Sequence, residues 1–468
     1  MAERITINPF TRISGFMEIE ADIENNRIVS AKTKGLMYRG FEKMLVGRSP
    51  FDAVYFTERI CGICSTAHAV TSSLALENAL GIVPSEQGRY LRDILHGCEY
   101  LQNHIRHFYQ FTIPDYVKFP TEYPMFQSEN TDYRLLKTSN DRMVKNYLDS
   151  LQFSRSAHQM LAILGGKAPH NHGVFIGGVT TQATADRIIE MKSIVSNIIQ
   201  FINENMLPDV YEIGLYYPEY FQIGSCYANL LSYGCFDRYK ELGTLYVDPL
   251  VYENGTVTAF NPDNISEQLD YSWYSVVNDT DKKNLEFNVD NHKAQGYTWV
   301  KAARYNNTPF EVGPLARQWL CGEYTRGSSA MDRTIARVLE AKKIASILSI
   351  LLQNLIPGTV DQQTYTVPQT TSGQGFVDTA RGALAHWINI KDSKIDTYQI
   401  ITPSVWNLSS QTDNMPGPAE QSLIGTYIND MDNPIEIGRI IRSFDPCVSC
   451  ATHVFSGGKF VHSIQTII

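Results

Sequence analysis

Two cysteine-rich stretches near opposite ends of the chain decide how the sequence must fold. The first reads Phe56-Thr57-Glu58-Arg59-Ile60-Cys61-Gly62-Ile63-Cys64-Ser65-Thr66-Ala67-His68, and the second reads Ser443-Phe444-Asp445-Pro446-Cys447-Val448-Ser449-Cys450-Ala451-Thr452-His453. The two sulfurs of a C-x-x-C pair can bind one metal ion, and two such pairs can make a four-thiolate site. The spacing alone is also compatible with two other interpretations of the cysteine pairs, a structural zinc site and redox-active dithiols.

Isolated cysteines occupy four further positions, Cys98, Cys226, Cys235 and Cys321. A lone thiol in a large chain is most often a small apolar core residue, so we expect all four to be buried apolar thiols. Eight cysteines in 468 residues are also too few for a disulfide-stabilised scaffold.

The composition is that of a large globular protein, since 43% of the residues are hydrophobic and 19% are charged. The formal net charge of −9 argues against a nucleic-acid partner or a general anionic-membrane binder. The sequence contains no uninterrupted apolar run of the length that a transmembrane helix needs. The first residues, MAERITINPFTRISG, lack the basic and apolar regions of a secretory signal.

Hydrophobic periodicity predicts an α+β fold that is predominantly helical. Apolar residues recur at helical spacing over residues 84–111, 183–206 and 329–355, and the last stretch becomes almost wholly apolar, as in a buried bundle helix. Alternation predicts strands around residues 5–7 and 17–23, and the region 207–300 is typical of strands and irregular loops. We therefore expect a central bundle of long helices with peripheral β-containing lobes.

The flanks of the two cysteine pairs resemble the metal-binding ends of the nickel–iron hydrogenase large subunit, R-x-C-G-x-C-x-x-x-H and D-P-C-x-x-C-x-x-H. Further motifs similar to that family follow in the same order: TRISG at 11–15, MYRGFE at 37–42, HIRHFY at 104–109, GGKAPH at 165–170, FEVGPLA at 310–316, ARGALAHW at 380–387 and TPSVWNL at 402–408. The resemblance covers essentially the whole chain and looks closest to the membrane-bound uptake type. It implies a single fold over residues 1–468 in which the two C-x-x-C loops are brought together.

This resemblance implies a nickel–iron centre and the reversible heterolytic cleavage of H2 into protons and electrons. Carried over, Cys61 and Cys447 are terminal nickel ligands, whereas Cys64 and Cys450 bridge nickel to iron. The iron is implied to carry carbon monoxide and cyanide ligands. Thiolates are soft, strongly donating ligands that suit a redox-active late transition metal.

The resemblance also implies roles for residues around that centre. Cys447 is the first candidate to accept the proton, and Arg381 matches an arginine that lies over the iron ligands. Asp445 is expected to pair with Arg381 or to cap the following turn. His68 is expected to donate a hydrogen bond to a bridging sulfur, because such contacts tune metal ligands.

A second metal ion and a processed C-terminus are implied as well. Glu42, the backbone carbonyl of about Ile400, and His453 match the ligands of a magnesium or iron ion. Residues 454–468 match a peptide that a dedicated maturation protease removes after nickel insertion; the alternative is a permanent C-terminal strand.

Electron transfer implies a partner, because the chain has no further cysteine cluster for iron–sulfur centres. The resemblance implies an iron–sulfur small subunit, nickel chaperones, and a membrane cytochrome or another electron acceptor. The expected location is membrane-associated through the small subunit, at the extracytoplasmic face, with a cytoplasmic enzyme as the alternative.

The sequence departs from the family pattern in the proton path and around the iron. Ser14 stands where the family carries a glutamate that relays protons, and a serine has no titratable group near neutral pH. Glu18, Glu20 or a water chain are the substitutes that the sequence suggests. Asn103 and Ala380 stand where the family carries aspartate and proline.

Two bulky residues suggest a second function. Ile63 and Phe111 match a bottleneck of the gas channel that is often formed by Val and Leu in the family. Larger side chains there are shared with hydrogen-sensing members, so an H2-sensing regulatory subunit is the alternative function.

Overall fold

The computed structural model describes residues 3–120, 122, 130–278, 286–358 and 365–451. The predicted ligand His453 and the predicted maturation peptide 454–468 lie outside the described residues, as does the side chain of Cys450.

Helices supply the long elements of the fold. They are α1 (Phe41–Leu45), α2 (Asp52–Thr57), α3 (Ser65–Leu80), α4 (Glu86–Arg106), α5 (Lys137–Gly165), α6 (Ala185–Phe201), α7 (Leu207–Tyr216), α8 (Pro314–Leu320), α9 (Ala330–Asn354), α10 (Pro403–Asn407), α11 (Pro418–Leu423), α12 (Ile435–Ser443) and α13 (Val448–Ala451).

Strands form small sheets around these helices. They are β1 (Glu3–Ile7), β2 (Met17–Glu24), β3 (Arg27–Gly35), β4 (Val174–Phe175), β5 (Gly178–Val179), β6 (Leu230–Ser232), β7 (Leu250–Glu253), β8 (Thr256–Ala259), β9 (Ile265–Gln268), β10 (Tyr274–Asn278), β11 (Glu286–Val289), β12 (Ala302–Tyr305), β13 (Glu311–Val312), β14 (Thr370–Thr379), β15 (Gly382–Lys391) and β16 (Lys394–Ile401).

The long helices α4, α5, α6 and α9 pack into the predicted central bundle, with α4 lying against both α5 and α9. Gly97 lets α4 and α9 approach closely, because a Cβ there would lie 2.6 Å from Leu348 Cδ2. The helix α9 begins at a capping box in which Ser329 Oγ accepts from Asp332 N and Asp332 Oδ2 accepts from Ser329 N. The main core surrounds this bundle and includes the cysteines of both loops that the structure describes.

The sheets are peripheral, and two of them position the cysteine loops. One is the antiparallel sheet β1-β2-β3, which the N-terminal TRISG stretch interrupts between β1 and β2. The other is the antiparallel sheet β14-β15-β16, which packs on α3. The turn between β14 and β15 carries Arg381, so this packing brings Arg381 towards the first cysteine pair at the start of α3. A further sheet, β13-β6-β7-β8, has β13 parallel to β6.

The structure confirms the predicted α+β bundle and corrects some of its elements. The helix expected over 329–355 is α9, and the one over 84–111 is α4 followed by a π-helical turn through Thr112. The helix expected over 183–206 is α6 plus a π-helical turn that ends at Met206. The prediction of strands and loops from residue 207 is wrong for 207–216, because the chain continues as α7 and buries Val210 and Ile213.

The helix α5 is the longest helix of the described residues, and the sequence analysis did not predict it. Its buried face includes Ser139, Asn146 and Ser150 beside apolar residues. A buried stripe that is partly polar weakens the hydrophobic period that reveals a helix.

The isolated cysteines fall into two groups. Cys98 and Cys235 are buried, as expected. The expectation is wrong for Cys226 and Cys321, which are half-buried. Cys226 also has polar neighbours, since its Sγ lies 2.9 Å from Glu311 Oε2.

Among the described residues, no helix combines the length and the apolarity needed to cross a membrane.

Candidate metal centre

Three cysteines from the two ends of the chain meet in the core. The sulfurs of Cys61, Cys64 and Cys447 all lie within 4.8 Å of one another, and all three residues are buried. Cys61 Sγ lies 3.4 Å from Cys447 Sγ, well beyond the length of a disulfide bond. This arrangement can bind a metal ion that prefers thiolate ligands.

The first loop is held at the N-terminus of α3. Cys64 is the N-cap residue of α3, and Ile63 N donates to Cys61 Sγ at 3.3 Å. The carboxylate of Glu99, on α4, accepts hydrogen bonds from Thr66 N at 2.7 Å and Ala67 N at 3.1 Å. These contacts satisfy backbone donors that a helix leaves free in its first turn, so the bundle fixes the loop.

The second loop is held by the N-terminal segment of the chain. Ser14 N donates to Pro446 O at 3.2 Å, and Val448 N donates to Ser14 O at 2.7 Å, so Ser14 and Cys447 pair as neighbouring strands do. Gly15 follows with φ +95°, and a Cβ there would lie 2.6 Å from Ser449 N. Only glycine therefore fits this position without moving the loop.

Arg39 joins the two loops directly. Its Nη1 donates to Arg59 O at 3.2 Å, and its Nη2 donates both to Ile60 O and to Ser449 O, the latter at 2.7 Å. One guanidinium thus satisfies the carbonyl groups of the residues that precede Cys61 and Cys450, which holds the two loops together.

Arg381 and Asp445 form a buried ion pair at the centre. Arg381 Nη2 lies 3.0 Å from Asp445 Oδ1, and Arg381 Nε donates to Asp445 O at 3.0 Å. Within the described part of the chain, neither Nη1 nor Nη2 of Arg381 makes a well-directed hydrogen bond, although both are buried. Burial alone would lower the pKa of Arg381, but Asp445 and the three cysteine sulfurs raise it well above its usual value.

Asp445 is oriented by several neighbours besides Arg381. Asn103 Nδ2 donates to Asp445 Oδ2 at 2.7 Å, while His107 and Arg337 lie 3.9 Å from its oxygens. Burial alone would raise the pKa of Asp445, but Arg381 and these neighbours lower it well below its usual range. Of the two expected roles for Asp445, the structure shows the pairing with Arg381.

A small cavity lies between the cysteines and Arg381. It holds about 10 Å³ of space for a water-sized molecule, and its walls are formed by Cys64, Ala67, His68, Thr379, Arg381, Leu384, Pro403, Ser404 and Cys447. That volume is about the minimum for one small molecule. The cavity therefore suits a diatomic substrate or ligands bound to a metal.

His68 lines this cavity and is fully buried, and burial lowers its pKa to about 4. Its Nδ1 lies 3.1 Å from His386 Nε2, and burial lowers the pKa of His386 as well. His68 therefore stands beside the cysteines as a neutral ring bonded to a second ring.

The predicted second metal site is a buried cluster of opposite charges. Ile400 N donates to Glu42 Oε1 at 2.9 Å, and Lys301 Nζ lies 3.2 Å from Glu42 Oε2 and 3.1 Å from Glu267 Oε2. Gln399 Nε2 donates to Glu267 Oε2 at 2.8 Å. Glu267 Oε1 and Gln399 Oε1 have no hydrogen-bond partner among the described residues, although both are buried. These oxygen atoms suit a hard cation such as Mg²⁺.

The two acids suggested as substitutes are both ion-paired. Lys34 binds both Glu18, at 2.8 Å, and Glu20, and Asn8 Nδ2 donates to Glu18 at 2.5 Å. These contacts hold both carboxylates on the β1-β2-β3 sheet, and a role of Glu18 or Glu20 in proton transfer stays a prediction.

The residues present fit the implied nickel–iron centre. Three buried thiols surround a common point, and a charged guanidinium beside them has two buried nitrogens that lack directed hydrogen bonds. Such donors are typical of a site that receives anionic ligands.

Sequence reasoning missed Arg39 and Glu99 as residues that hold the loops. Arg39 lies within the MYRGFE motif, so the motif gave a signal, but the contacts of Arg39 with both loops depend on the tertiary structure. Glu99 had no such signal, because it is a buried acid within α4 and lies in none of the family motifs.

Comparison with known proteins places these residues in a family context. The chain matches the family model of nickel-dependent hydrogenases over residues 39–123, 119–328 and 322–453. It is 33% identical to the periplasmic NiFeSe hydrogenase large subunit of Desulfomicrobium baculatum, over 96% of this chain and 95% of that protein. It is 30% identical to the hydrogenase-2 large chain of Escherichia coli (strain K12), over 100% of both. It is 29% identical to the uptake hydrogenase large subunit of Rhizobium leguminosarum bv. viciae, over 97% and 96%.

Solved structures show the same similarity in three dimensions. A chain of the Ni-Fe-Se hydrogenase from D. vulgaris Hildenborough, in the reduced state, superposes with a TM-score of 0.92 at 35% identity. The match covers 97% of this chain and 100% of that chain.

Proposed function

The chain belongs to the nickel-dependent hydrogenase family, and we propose that it is the catalytic large subunit of a nickel–iron hydrogenase that cleaves H2 reversibly into protons and electrons. One observation carries this proposal: three buried cysteine sulfurs meet in the core, and two of these cysteines, Cys64 and Cys447, line a small cavity together with the charged Arg381.

The two cysteine pairs would hold the centre. Cys61 and Cys447 would be terminal nickel ligands, and Cys64 and Cys450 would bridge nickel to an iron with carbon monoxide and cyanide ligands. Several relatives are named for selenium as well as nickel and iron, whereas this sequence has cysteine at all four positions. When bound, this centre supplies the polarisation and the electron acceptance that split H2.

The chain's own residues then handle the charge. Cys447 Sγ is the proposed proton acceptor because it matches the family's terminal nickel ligand with this role, and Cys447 lines the cavity. The Nη atoms of Arg381 would donate to anionic ligands of the iron and hold the substrate side of the cavity positive. Asp445 keeps Arg381 in place through a contact at 3.0 Å.

The proton would leave past Ser14 through hydroxyl groups and water. Ser14 pairs with Cys447 along the backbone, and we take its hydroxyl as the first group of the relay. A serine hydroxyl can pass a proton on but does not hold one near neutral pH. The proton would therefore pass through Ser14 without being held there, whereas a carboxylate at this position could bind the proton between transfers.

A second metal ion, Mg²⁺ or Fe²⁺, would be bound by Glu42, by the backbone carbonyl of about Ile400 and by His453. The unpartnered oxygens of Glu267 and Gln399 support a cation there. This ion would tie the C-terminus to β16 and so stabilise the second cysteine loop.

Electrons would pass to an iron–sulfur small subunit, because relatives are named large subunits and large chains. A membrane cytochrome or another acceptor would follow. Relatives named periplasmic and uptake hydrogenases support a location at the extracytoplasmic face, associated with the membrane through the small subunit. Nickel chaperones and a protease that removes residues 454–468 would mature the chain.

An H2-sensing regulatory subunit is the second candidate function, favoured by the bulky Ile63 and Phe111. If they narrow gas access, Ile63→Val combined with Phe111→Leu should accelerate inhibition by carbon monoxide. Equal inhibition rates in the variant and the unmodified enzyme would remove this argument for a sensor.

Infrared spectroscopy with metal analysis tests the main proposal. The chain is purified with its co-expressed small subunit, and mass spectrometry establishes whether residues 454–468 have been removed. Carbonyl and cyanide stretching bands with about one nickel per chain are expected. Zinc without nickel, and no such bands after complete maturation, would overturn the proposal and favour a structural zinc site.

A further inference from the structure

A line of polar contacts joins Arg106, the last residue of α4, to the ion pair beside the cysteines. Arg106 Nη2 donates to Asn103 Oδ1 at 3.2 Å, and Asn103 Nδ2 donates to Asp445 Oδ2 at 2.7 Å. Asp445 Oδ1 in turn lies 3.0 Å from Arg381 Nη2. Asn103, Asp445 and Arg381 are all buried, so Arg106 is linked to Arg381 through two side chains that water does not reach.

The chemistry of Arg106 fixes the orientation of the Asn103 amide. A guanidinium has hydrogen-bond donors only, so the amide atom that faces Arg106 must be the oxygen. The amide nitrogen then faces Asp445. It gives the carboxylate of Asp445 the one well-directed side-chain hydrogen bond that the described residues supply. An ionised aspartate at position 103, the residue that the family pattern carries, would have no hydrogen to donate there.

Arg106 has few other contacts that could hold it. Within the described ranges, no carboxylate forms an ion pair with Arg106, and its buried Nε has no hydrogen-bond partner. The ring centroid of Phe111 lies 5.8 Å from Arg106 Cζ, within the range of a cation–π contact. Burial lowers the pKa of Arg106 to about 10, so its guanidinium is still charged near neutral pH. The charge is therefore held chiefly by the Asn103 amide and the Phe111 ring.

We propose that Arg106 is a positioning residue for Arg381 and acts through Asn103 and Asp445. While Arg106 holds the amide oxygen of Asn103, the amide nitrogen engages Asp445 Oδ2, and Oδ1 is the oxygen that faces Arg381. The Nη groups of Arg381 then stay available to anionic ligands of the iron. That role of Arg381 belongs to the proposed function, on which this inference rests.

Removing Arg106 should change the electron density on the iron. Arg106→Met keeps much of the length of the side chain but removes its charge and its donors. The Asn103 amide then loses its orientation, and Asp445 Oδ2 is free to accept hydrogen bonds from Arg381. Fewer N–H groups of Arg381 reach the iron ligands, so the infrared carbonyl band of the mature heterodimer should move to lower wavenumber. Asn103→Leu removes the same donor from Asp445 and should move the band in the same direction.

The double variant separates an effect through Asn103 from the simple loss of a positive charge. If Arg106 acts through Asn103, Arg106→Met should move the band no further in a chain that already carries Asn103→Leu. Additive shifts would overturn the inference, because Arg106 would then act by its charge at a distance. A band that stays in place, or moves to higher wavenumber, in Arg106→Met would overturn it as well.

Arg89→Met is the matched control. Arg89 lies on the same helix, is also half-buried and faces the ring of Tyr239. It donates to the backbone carbonyls of Asp237 and Arg238. Its replacement removes the same charge without changing the contacts of Asp445, so the carbonyl band should stay in place. A shift as large as that of Arg106→Met would contradict the inference.

Chemical denaturation of the metal-free full-length chain gives a second readout that needs no nickel. The unfolding free energies of Arg106→Met, Asn103→Leu and the double variant should be non-additive. Additive values would overturn the link between Arg106 and Asn103, even if Arg106→Met takes up no nickel. Missing infrared bands in the unmodified enzyme would instead overturn the proposed function.

Discussion

Replacing Gly15 by alanine should displace the second cysteine loop and lower the nickel content of the chain. Gly15 has φ +95°, and the new Cβ would lie 2.6 Å from Ser449 N and 2.9 Å from Ser449 Oγ. Ser449 lies between Cys447 and Cys450, so a shift at Ser449 changes the spacing of two proposed metal ligands.

The expected loss of stability has two parts. An alanine in the left-handed region costs about 1–2 kcal/mol. The close contact of the new Cβ with Ser449 forces the loop to move, which costs about 1–3 kcal/mol more. Gly15→Ala should therefore lower the free energy of unfolding by about 2–5 kcal/mol. Gly47→Ala is the matched control, because Gly47 has φ +80° and no atom within 4 Å of the new Cβ. It should cost only the conformational part.

Metal analysis and chemical denaturation of Gly15→Ala and Gly47→Ala test this prediction. Gly47→Ala should keep the nickel content of the unmodified protein, while Gly15→Ala should lose most of it. Equal nickel content and equal unfolding free energy in the two variants would refute the reasoning, because the contact with Ser449 would then have no effect on the site.

Three further changes test the surroundings of the centre. Asp445→Asn leaves Arg381 as a buried charge with a weakened partner, so denaturation should show a loss of about 3–5 kcal/mol; an unchanged unfolding free energy would contradict the pairing. Arg39→Ala removes the link between the loops and should lower nickel content in metal analysis, whereas the exposed Arg48→Ala should not. Burial raises the pKa of Glu58 to about 8. Its protonated form therefore stabilises the fold at acidic pH, and this contribution to the free energy of unfolding is lost as the pH rises from about 4.5 to 8. In denaturation, the unfolding free energy of Glu58→Gln should depend less on pH over that range, by up to about 1.4 kcal/mol per pH unit.

Sequence patterns predict elements of this fold where one face is uniformly apolar. The helix α9 agrees with its predicted bounds to within one residue at each end, because a capping box begins it and Pro357 follows its end. The sequence did not predict α5 or α7. The helix α5 buries serine and asparagine side chains, which weakens its apolar period. The helix α7 continues α6 through a π-helical turn, which shifts the period between them. Tertiary packing, rather than local periodicity, decides such elements.

The residues of the metal centre could be named from the sequence where they lie in short motifs. The cysteines, Arg381 and Asp445 were named from sequence, and the structure brings Cys61, Cys64, Cys447, Arg381 and Asp445 together. The contacts that hold them could not be read from the sequence, because each joins segments that are far apart in the chain. The metal roles of these residues stay predictions.

Backbone contacts explain why motifs without nickel ligands accompany the cysteine pairs. Ser14 binds the second loop through its main-chain N–H and C=O groups, and Arg39 binds main-chain carbonyls of both loops. Contacts to the main chain do not depend on the side chains of the loops, so they fix the positions of the cysteines without using the sulfur atoms. These contacts of Ser14 use only its main chain, so a serine in place of an acid keeps them. We therefore expect the cost of that replacement to fall on proton transfer and not on the assembly of the centre.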